Sequence, residues 1–437
     1  MTRMGAPTGS RSPRDRPRHR RMPEEDAPLA WTGVADKASY YRLFAAYVLA
    51  LLATGMATVA LALLAYDLAG GDSGTVMGTA LSLKMLAYII AAPFVSVLIR
   101  HVPRKPMLIT LDILRAGSLV LLPFITAIWQ VYALVFVFSL ASAIFTLVYQ
   151  TIVPYLLANQ HDYTNSLARS LIASELETSL SPLLAAGLLL AFASTGVFVI
   201  SALALLLSAW LVSRMRTPEP TGRRSERMVA AFLRGPRLFL RTPQLRGLIA
   251  LDIAVGCGSA MVMVNTVVIV QGTFEMTRYA SAIAFAVFGL GSICGAIVIT
   301  PALRVLPERS IMIGGAVLLS AGLLAGMVVW SIPGLLTLWF LIGLGCALAL
   351  TPAAYLIRRI ARPADLQALF AAQLSLTSAC LLVAYSVAGW LGARAGLPAA
   401  FAGLGIIAAG AALLAAVLWS VGKGPTAAPP RAEGPPR

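Results

Sequence analysis

The sequence predicts an all-α polytopic membrane protein with twelve transmembrane helices in two pseudo-symmetric six-helix halves. Hydrophobic residues make up 59% of the 437-residue chain and charged residues 12%, too apolar a balance for a soluble domain of this length. Apolar runs of about 20 residues, enough to cross about 30 Å of hydrocarbon, recur from Leu43 to Val421 with short breaks. The longest internal polar segment, Arg214 to Arg246, divides six such runs from six.

In chain order the spans are read at about 41–66, 75–99, 107–128, 131–155, 166–192, 195–214, 247–270, 279–301, 310–330, 333–355, 366–390 and 398–421. Residues 1–40 are expected to form a disordered basic cytoplasmic leader and 41–214 the N-terminal six-helix bundle. Residues 215–246 follow as a cytoplasmic central loop, 247–421 as the C-terminal bundle and 422–437 as a disordered cytoplasmic tail. The polar leader and the length of the first apolar run argue against a cleavable signal peptide.

The net charge of +16 is placed on one side. Seven Arg lie between Arg3 and Arg21, nine between Arg214 and Arg246, and smaller groups at Arg100/Arg104/Lys105, Arg304/Arg309 and Arg358/Arg359/Arg362. Only Arg278 and Arg394 fall in loops on the other face. Short Lys/Arg-rich loops stay in the cytoplasm, so both termini are expected there, with some charges against anionic lipid. This distribution argues against nucleic acid as a partner. The excess of Arg over Lys is consistent with a high-GC genome and a bacterial inner membrane. The cysteines, Cys257, Cys294, Cys346 and Cys380, lie inside apolar spans without CxxC spacing, so neither a disulfide framework nor a thiolate metal site is expected. No HExxH, GxSxG or GxxxxGK[ST] supports an enzyme or an ATP-driven pump, and no cofactor is expected.

The halves carry an internal repeat. Arg100-His101-Val102-Pro103-Arg104-Lys105 after the second span matches Arg304-Val305-Leu306-Pro307-Glu308-Arg309 after the eighth as R-x-x-P-x-[KR]. Asp162 before the fifth span corresponds to Asp365 before the eleventh. Homologous halves of this kind place a substrate cavity at their interface near the midplane.

Charges inside the spans are the candidates for function, because each has to face protein or water and find a partner. Glu175 and Glu177 lie near the middle of the fifth span and Lys84 at comparable depth in the second. Two positions are about 200° apart on a helix, so the acids cannot share a face. Ser170, Ser174, Glu177, Thr178 and Ser181 follow helical spacing and put Glu177 on a polar stripe. Glu177, then Glu175 and Asp252, are the proton-coupling candidates; a salt bridge from Glu177 to Lys84 is the structural alternative. Lys84 reads as that partner or as a counter-ion for an anionic substrate. Asp252 alternatively pairs with Arg246 or another arginine of the central loop. Asp112 and Arg115, spaced i, i+3 beside the basic turn, are expected to pair and, with Arg100, Arg104 and Lys105, to latch the cytoplasmic helix ends.

On these features the chain resembles the major facilitator superfamily over essentially its whole length. The family's G-x-x-x-D-R-x-G-R-[KR] loop motif corresponds to Ser96, Arg100, His101, Pro103, Arg104 and Lys105, with its basic end kept and its glycines and acid replaced. Asp112-Ile113-Leu114-Arg115-Ala116 looks like the D-x-x-R-A of the exporter branch that includes enterobactin and macrolide exporters. Ser181-Pro182-Leu183-Leu184-Ala185-Ala186 is similar to the antiporter motif of the fifth span. The resemblance implies secondary active transport by alternating access, with export favoured over uptake and a monomer expected. It also makes Thr54, Thr58, Tyr149, Gln150, Asn265 and Tyr355 cavity candidates in the first, fourth, seventh and tenth spans, joined by Gln373 in the eleventh. The expected partners are a small-molecule substrate, protons and the lipid bilayer. Few intramembrane charges favour amphipathic substrates. The alternatives are export of a divalent metal ion, nickel or iron, or of a siderophore, and a non-transporting membrane scaffold; no resident metal site is expected.

Overall fold

The computed structural model describes residues 37–157, 160–192, 194–215, 235–328, 331–361 and 366–421. The leader up to residue 36, most of the central loop (216–234) and the tail lie outside them. Among the described residues there is no strand. Twelve long helices follow in order: α1 Lys37–Ala69, α2 Ser73–His101, α3 Arg104–Leu121, α4 Ile128–Leu156, α5 Gln160–Ala191, α6 Ser194–Ser213, α7 Pro243–Val267, α8 Arg278–Val305, α9 Glu308–Ala325, α10 Ile332–Leu350, α11 Leu366–Arg394 and α12 Leu397–Val421. Helices satisfy every backbone N–H and C=O within the segment, which hydrocarbon requires.

Breaks fall where proline or glycine puts them. Pro103 directly precedes α3 and Pro307 directly precedes α9, each with extended ψ (139° and 145°), so the repeated R-x-x-P motif is the turn that ends one helix and starts the next. Gly70 and Gly396 take positive φ in the short connections between α1 and α2 and between α11 and α12. Pro352 ends α10 earlier than the expected span, and an eight-residue helix, Ala353–Ile360, continues beyond it. Residues 235–241, expected as loop, are helical, and Phe239 there is fully buried.

Among the described residues eleven helices are long and apolar enough to cross a membrane, and the described apolar stretch of α5 is Leu180–Leu189.

The packing repeats with an offset of six helices. In the first half α1 meets α5 and α6, α3 meets α4 and α6, and α2 meets α4; in the second half α7 meets α11 and α12, α9 meets α10 and α12, and α8 meets α10. The halves meet along α2–α11 and α5–α8, which are themselves equivalent pairs. In α2–α11 the contact lies at the end of the bundle remote from the termini. There Ser82 Oγ shares a hydrogen bond with Ser386 Oγ at 2.8 Å. Glycines let the backbones touch: a Cβ on Gly78 would lie 2.8 Å from Tyr385 O and 3.0 Å from Gly389 Cα, and one on Gly389 would lie 2.8 Å from Gly74 O.

The first half is tied by a buried ion pair. Arg115 Nη2 donates to Asp112 Oδ1, with exposures of 2% and 0%. Ser208 Oγ of α6 donates to Asp112 Oδ2 at 2.7 Å and lies 3.1 Å from Ala46 O of α1. The Arg115 guanidinium sits 4.3 Å from the centroid of Phe145 on α4. One i, i+3 pair thus holds α1, α3, α4 and α6 together.

Two outcomes follow. Asp112→Asn leaves a buried guanidinium uncompensated, a change that costs about 3–5 kcal/mol where buried pairs have been broken; thermal unfolding in detergent should rank it below the double variant Asp112→Leu/Arg115→Met. In a background without the native cysteines, Gly389→Val should raise the rate at which an impermeant maleimide labels Ser82→Cys, because the seam that covers Ser82 has to part; an unchanged rate would show that the backbone contact does not seal that end.

Candidate functional site

The polar face expected on α5 is present and looks toward α1 and α4. Ser170 Oγ donates to Ser166 O at 3.0 Å, which spends its proton, so Tyr149 OH of α4 is the donor in their 2.9 Å contact. By the same reasoning Ser174 donates to Ser170 O at 3.1 Å and receives Tyr47 OH of α1 at 3.2 Å. The Tyr47 and Tyr149 rings stack with centroids 4.1 Å apart and planes 8° from parallel. Further along, Ser181 Oγ donates to Glu177 O. The Thr178 and Glu175 side chains lie outside the described residues.

Glu177 and Lys84 lie within Coulombic reach of one another. The hydrogen-bonded salt bridge considered between them is not made: the described ion pairs within 4.0 Å are Arg115–Asp112 and Arg359–Glu308. Lys84 Nζ instead donates to Thr58 Oγ1 at 3.4 Å, and Thr58 donates to Thr54 O at 2.9 Å. Tyr385 of α11 is within the same reach of Glu177, which sets this carboxyl beside the boundary between the halves.

Asp252 of α7 is 1% exposed. Its carboxylate accepts Gln373 Nε2 of α11 at 3.0 Å (Oδ1) and 2.9 Å (Oδ2), and Thr377 Oγ1 at 2.9 Å. Of the expected pairing with Arg246 or another arginine of the central loop, the Arg246 half is corrected, and Arg216, Arg223, Arg224, Arg227 and Arg234 lie outside the described residues. Six residues along a helix turn the side chain by about 240°, and Arg246 Nε donates to Leu240 O at 2.8 Å on the exposed side. The structure therefore joins Asp252 and Gln373, which the sequence offered separately.

This node has a counterpart in the first half. Asp365 follows Asp162 by 203 positions, and at the same 203 Gln373 follows Ser170 and Thr377 follows Ser174. Ser174 of α5 accepts from Tyr47 of α1, and Thr377 of α11 donates to Asp252 of α7. The same positions on equivalent helices carry the polar link in both halves.

The other candidates fall in several places. Thr54 is buried and donates to Ala50 O of its own helix at 2.8 Å. Gln150 is half-buried beside Tyr149. Asn265 is buried where α7, α11 and α2 converge: its Nδ2 reaches Ala388 O at 3.4 Å, and a Cβ on Gly74 would lie 3.3 Å from its Oδ1. Tyr355, placed on the eight-residue extension of α10, is 55% exposed. Of the basic turn, Lys105 Nζ donates to Met215 O just past α6 at 3.0 Å and Arg104 is buried, while the Arg100 side chain lies outside the described residues. Sequence reasoning missed Tyr47, Thr377 and Tyr385. A signal existed for two of them: Tyr47 shares helical spacing with Thr54 and Thr58, and Thr377 lies four residues after Gln373.

Comparisons with known proteins agree with this architecture. The nucleoside transporter NupG is 12% identical, with 86% of this chain and 100% of that chain covered and a TM-score of 0.66. A POT family transporter in complex with a thioalcohol-conjugated peptide is 14% identical over 87% and 96%, TM-score 0.66. A bacterial homologue of the human lysosomal transporter Spinster, inward-facing and unoccupied, is 13% identical over 90% and 100%, TM-score 0.63. At these identities the likeness is one of fold. No protein with curated annotation matches significantly. The family model described as Major Facilitator Superfamily matches residues 43–304 and 253–437, and the chain belongs to that family.

Proposed function

We propose that this transporter is a proton-coupled exporter of small amphipathic molecules from a bacterial cell, working by alternating access with Glu177 as the coupling residue. The observation that carries the reading is the position of Glu177. It lies near mid-length of α5, on the polar stripe, within Coulombic reach of Lys84 and of Tyr385 of the other half. A carboxyl there meets water when the halves part and protein when they close, the condition for taking up and releasing a proton once per cycle. A cation within Coulombic reach but not hydrogen-bonded leaves the carboxyl free to change charge without breaking a tight pair.

Among the described residues, Arg42 reaches Arg214 O, Lys105 reaches Met215 O and Arg309 lies over Trp419, so basic side chains gather at the end where α1 starts and α12 finishes, which supports a cytoplasmic assignment for that end and an inner-membrane location. On that assignment the glycine seam between α2 and α11 closes the outer face. Stacked Tyr47 and Tyr149 beside a stripe of hydroxyls suit a substrate with an apolar body and few polar groups. Asp252, held by two neutral donors from α11, is the second acid to test.

The test is proton flux in liposomes holding the purified protein, with lipophilic cations, macrolides, siderophores and Ni²⁺ supplied in turn. Glu177→Gln should reduce substrate-dependent proton movement to the level of empty liposomes while eluting as the wild type does. If flux persists in Glu177→Gln and disappears in Asp252→Asn, coupling belongs to the second half.

A further inference from the structure

The repeat puts a basic corner at the same point of each half, where the first helix starts, the third starts and the sixth ends. Arg42 and Lys105 stand there in the first half; 204 positions later, the offset of the R-x-x-P motif, stand Arg246 and Arg309. In the first half the protein answers both charges. Arg42 Nη1 donates to Arg214 O at 2.9 Å and Lys105 Nζ to Met215 O at 3.0 Å, carbonyls just past the end of α6, where a cation is favoured by the helix dipole. In the second half the two equivalents are engaged differently. Arg246 is exposed and gives only Nε, to Leu240 O at 2.8 Å. The Arg309 guanidinium lies 5.7 Å from the ring centroid of Trp419, whose Nε1 donates to Gln244 O at 2.9 Å and so ties the end of α12 to the start of α7. The helix at 235–241 adds to this corner: Gly235 packs on Ala368 and Ala372 of α11 and Phe239 is buried, which leaves Arg237, Leu240 and Arg241 exposed. Among the described residues Arg237, Arg241 and Arg309 make no hydrogen bond or ion pair, and Glu308, the acid beside Arg309, is paired with Arg359 at 2.7 Å.

We infer that this corner of the second half, where α7 and α9 start and α12 ends, is a docking site for an anionic phospholipid, with Arg246 and Arg309 on its headgroup phosphate. The ends of apolar spans lie at the bilayer surface, the level of lipid phosphates. A guanidinium matches a phosphate with two parallel N–H donors, and Arg246 and Arg309 keep such donors free. Acyl chains find apolar surface on the same helices: α12 exposes Leu413 and Val417, and α9 exposes Val317. Charge selects the lipid. With Glu308 spent on Arg359, the amine of a zwitterionic headgroup would meet arginines, whereas an anionic headgroup meets only complementary charge. The site needs this end of the bundle to lie at a bilayer surface, and it stands whether or not Glu177 carries the transported proton.

Native mass spectrometry of the purified full chain, titrated with phosphatidylglycerol, phosphatidylethanolamine and phosphatidylcholine of matched acyl chains, tests the site without reference to transport. The wild type should retain phosphatidylglycerol in preference to the other two. Arg246→Gln/Arg309→Gln should lower that affinity by about fivefold for each charge removed, about 25-fold together. Arg42→Gln/Lys105→Gln, the same change of charge at the corner whose cations are spent on carbonyls, should bind phosphatidylglycerol as the wild type does. Equal retention of the three lipids by the wild type overturns the site even if neither variant folds. An equal loss in both double variants overturns it too, because the preference would then follow net charge rather than this corner.

Discussion

A charge at the centre of a bilayer costs about 2.5–3.5 kcal/mol on insertion scales, so each one kept inside this chain has to be answered by a neighbour. Those answers decide which helices touch. Asp112 and Arg115 neutralise each other on α3, and the donor hydroxyl and ring face that complete them come from α6 and α4. Asp252 is met by the amide and hydroxyl of α11. Glu177 and Lys84 answer each other across a gap, with the hydrogen bond from Lys84 spent on Thr58. The first arrangement is tight and structural; the last is loose, which suits the coupling role proposed for Glu177.

The contact between halves obeys a different rule. Lipid tails are as apolar as leucine, so two helices gain little by burying apolar surface and gain more by close backbone approach. The α2–α11 seam accordingly uses Gly74, Gly78 and Gly389 with the Ser82–Ser386 bond, and holds none of the intramembrane charges. Such a contact closes without desolvating an ion and parts without exposing one. It suits an interface that has to form and break repeatedly, whereas the Asp112–Arg115 cluster suits a half that moves as one body.

The parts legible in the sequence were those with a short range. Span length and hydropathy give the helices, R-x-x-P gives two of the turns, and i, i+3 spacing gives the Asp112–Arg115 pair. Helical spacing from Ser170 to Ser181 gives the polar face of α5. What joins distant segments was not legible. Asn265 reads as a cavity residue by its span, yet it sits among glycines of α2 and α11 that it does not neighbour in sequence. Arg246 is the nearest charge to Asp252 along the chain, but helix rotation sends it to the surface while Gln373 and Thr377, more than a hundred residues later, arrive at the carboxylate. Proximity in sequence predicts contact along one helix face and little else.

The two halves share a packing plan and differ in what fills it. Ser174 and Thr377 occupy equivalent places on α5 and α11 and both present a hydroxyl to the first helix of their half. In one half that hydroxyl meets a tyrosine, and the acid sits three residues on, at Glu177; in the other it meets the acid itself, Asp252 of α7. At the positions equivalent to Glu175 and Glu177, 203 residues later, stand Ser378 and Cys380. The carboxyl has therefore moved from the fifth helix of one repeat to the first helix of the other. α5 meets the other half at α8, while α7 packs on α11 within its own half and also touches α1 and α2 of the other. The displacement of one acid thus gives two similar halves two inequivalent sites, and on the proposed mechanism it is the α5 site that couples to their relative movement.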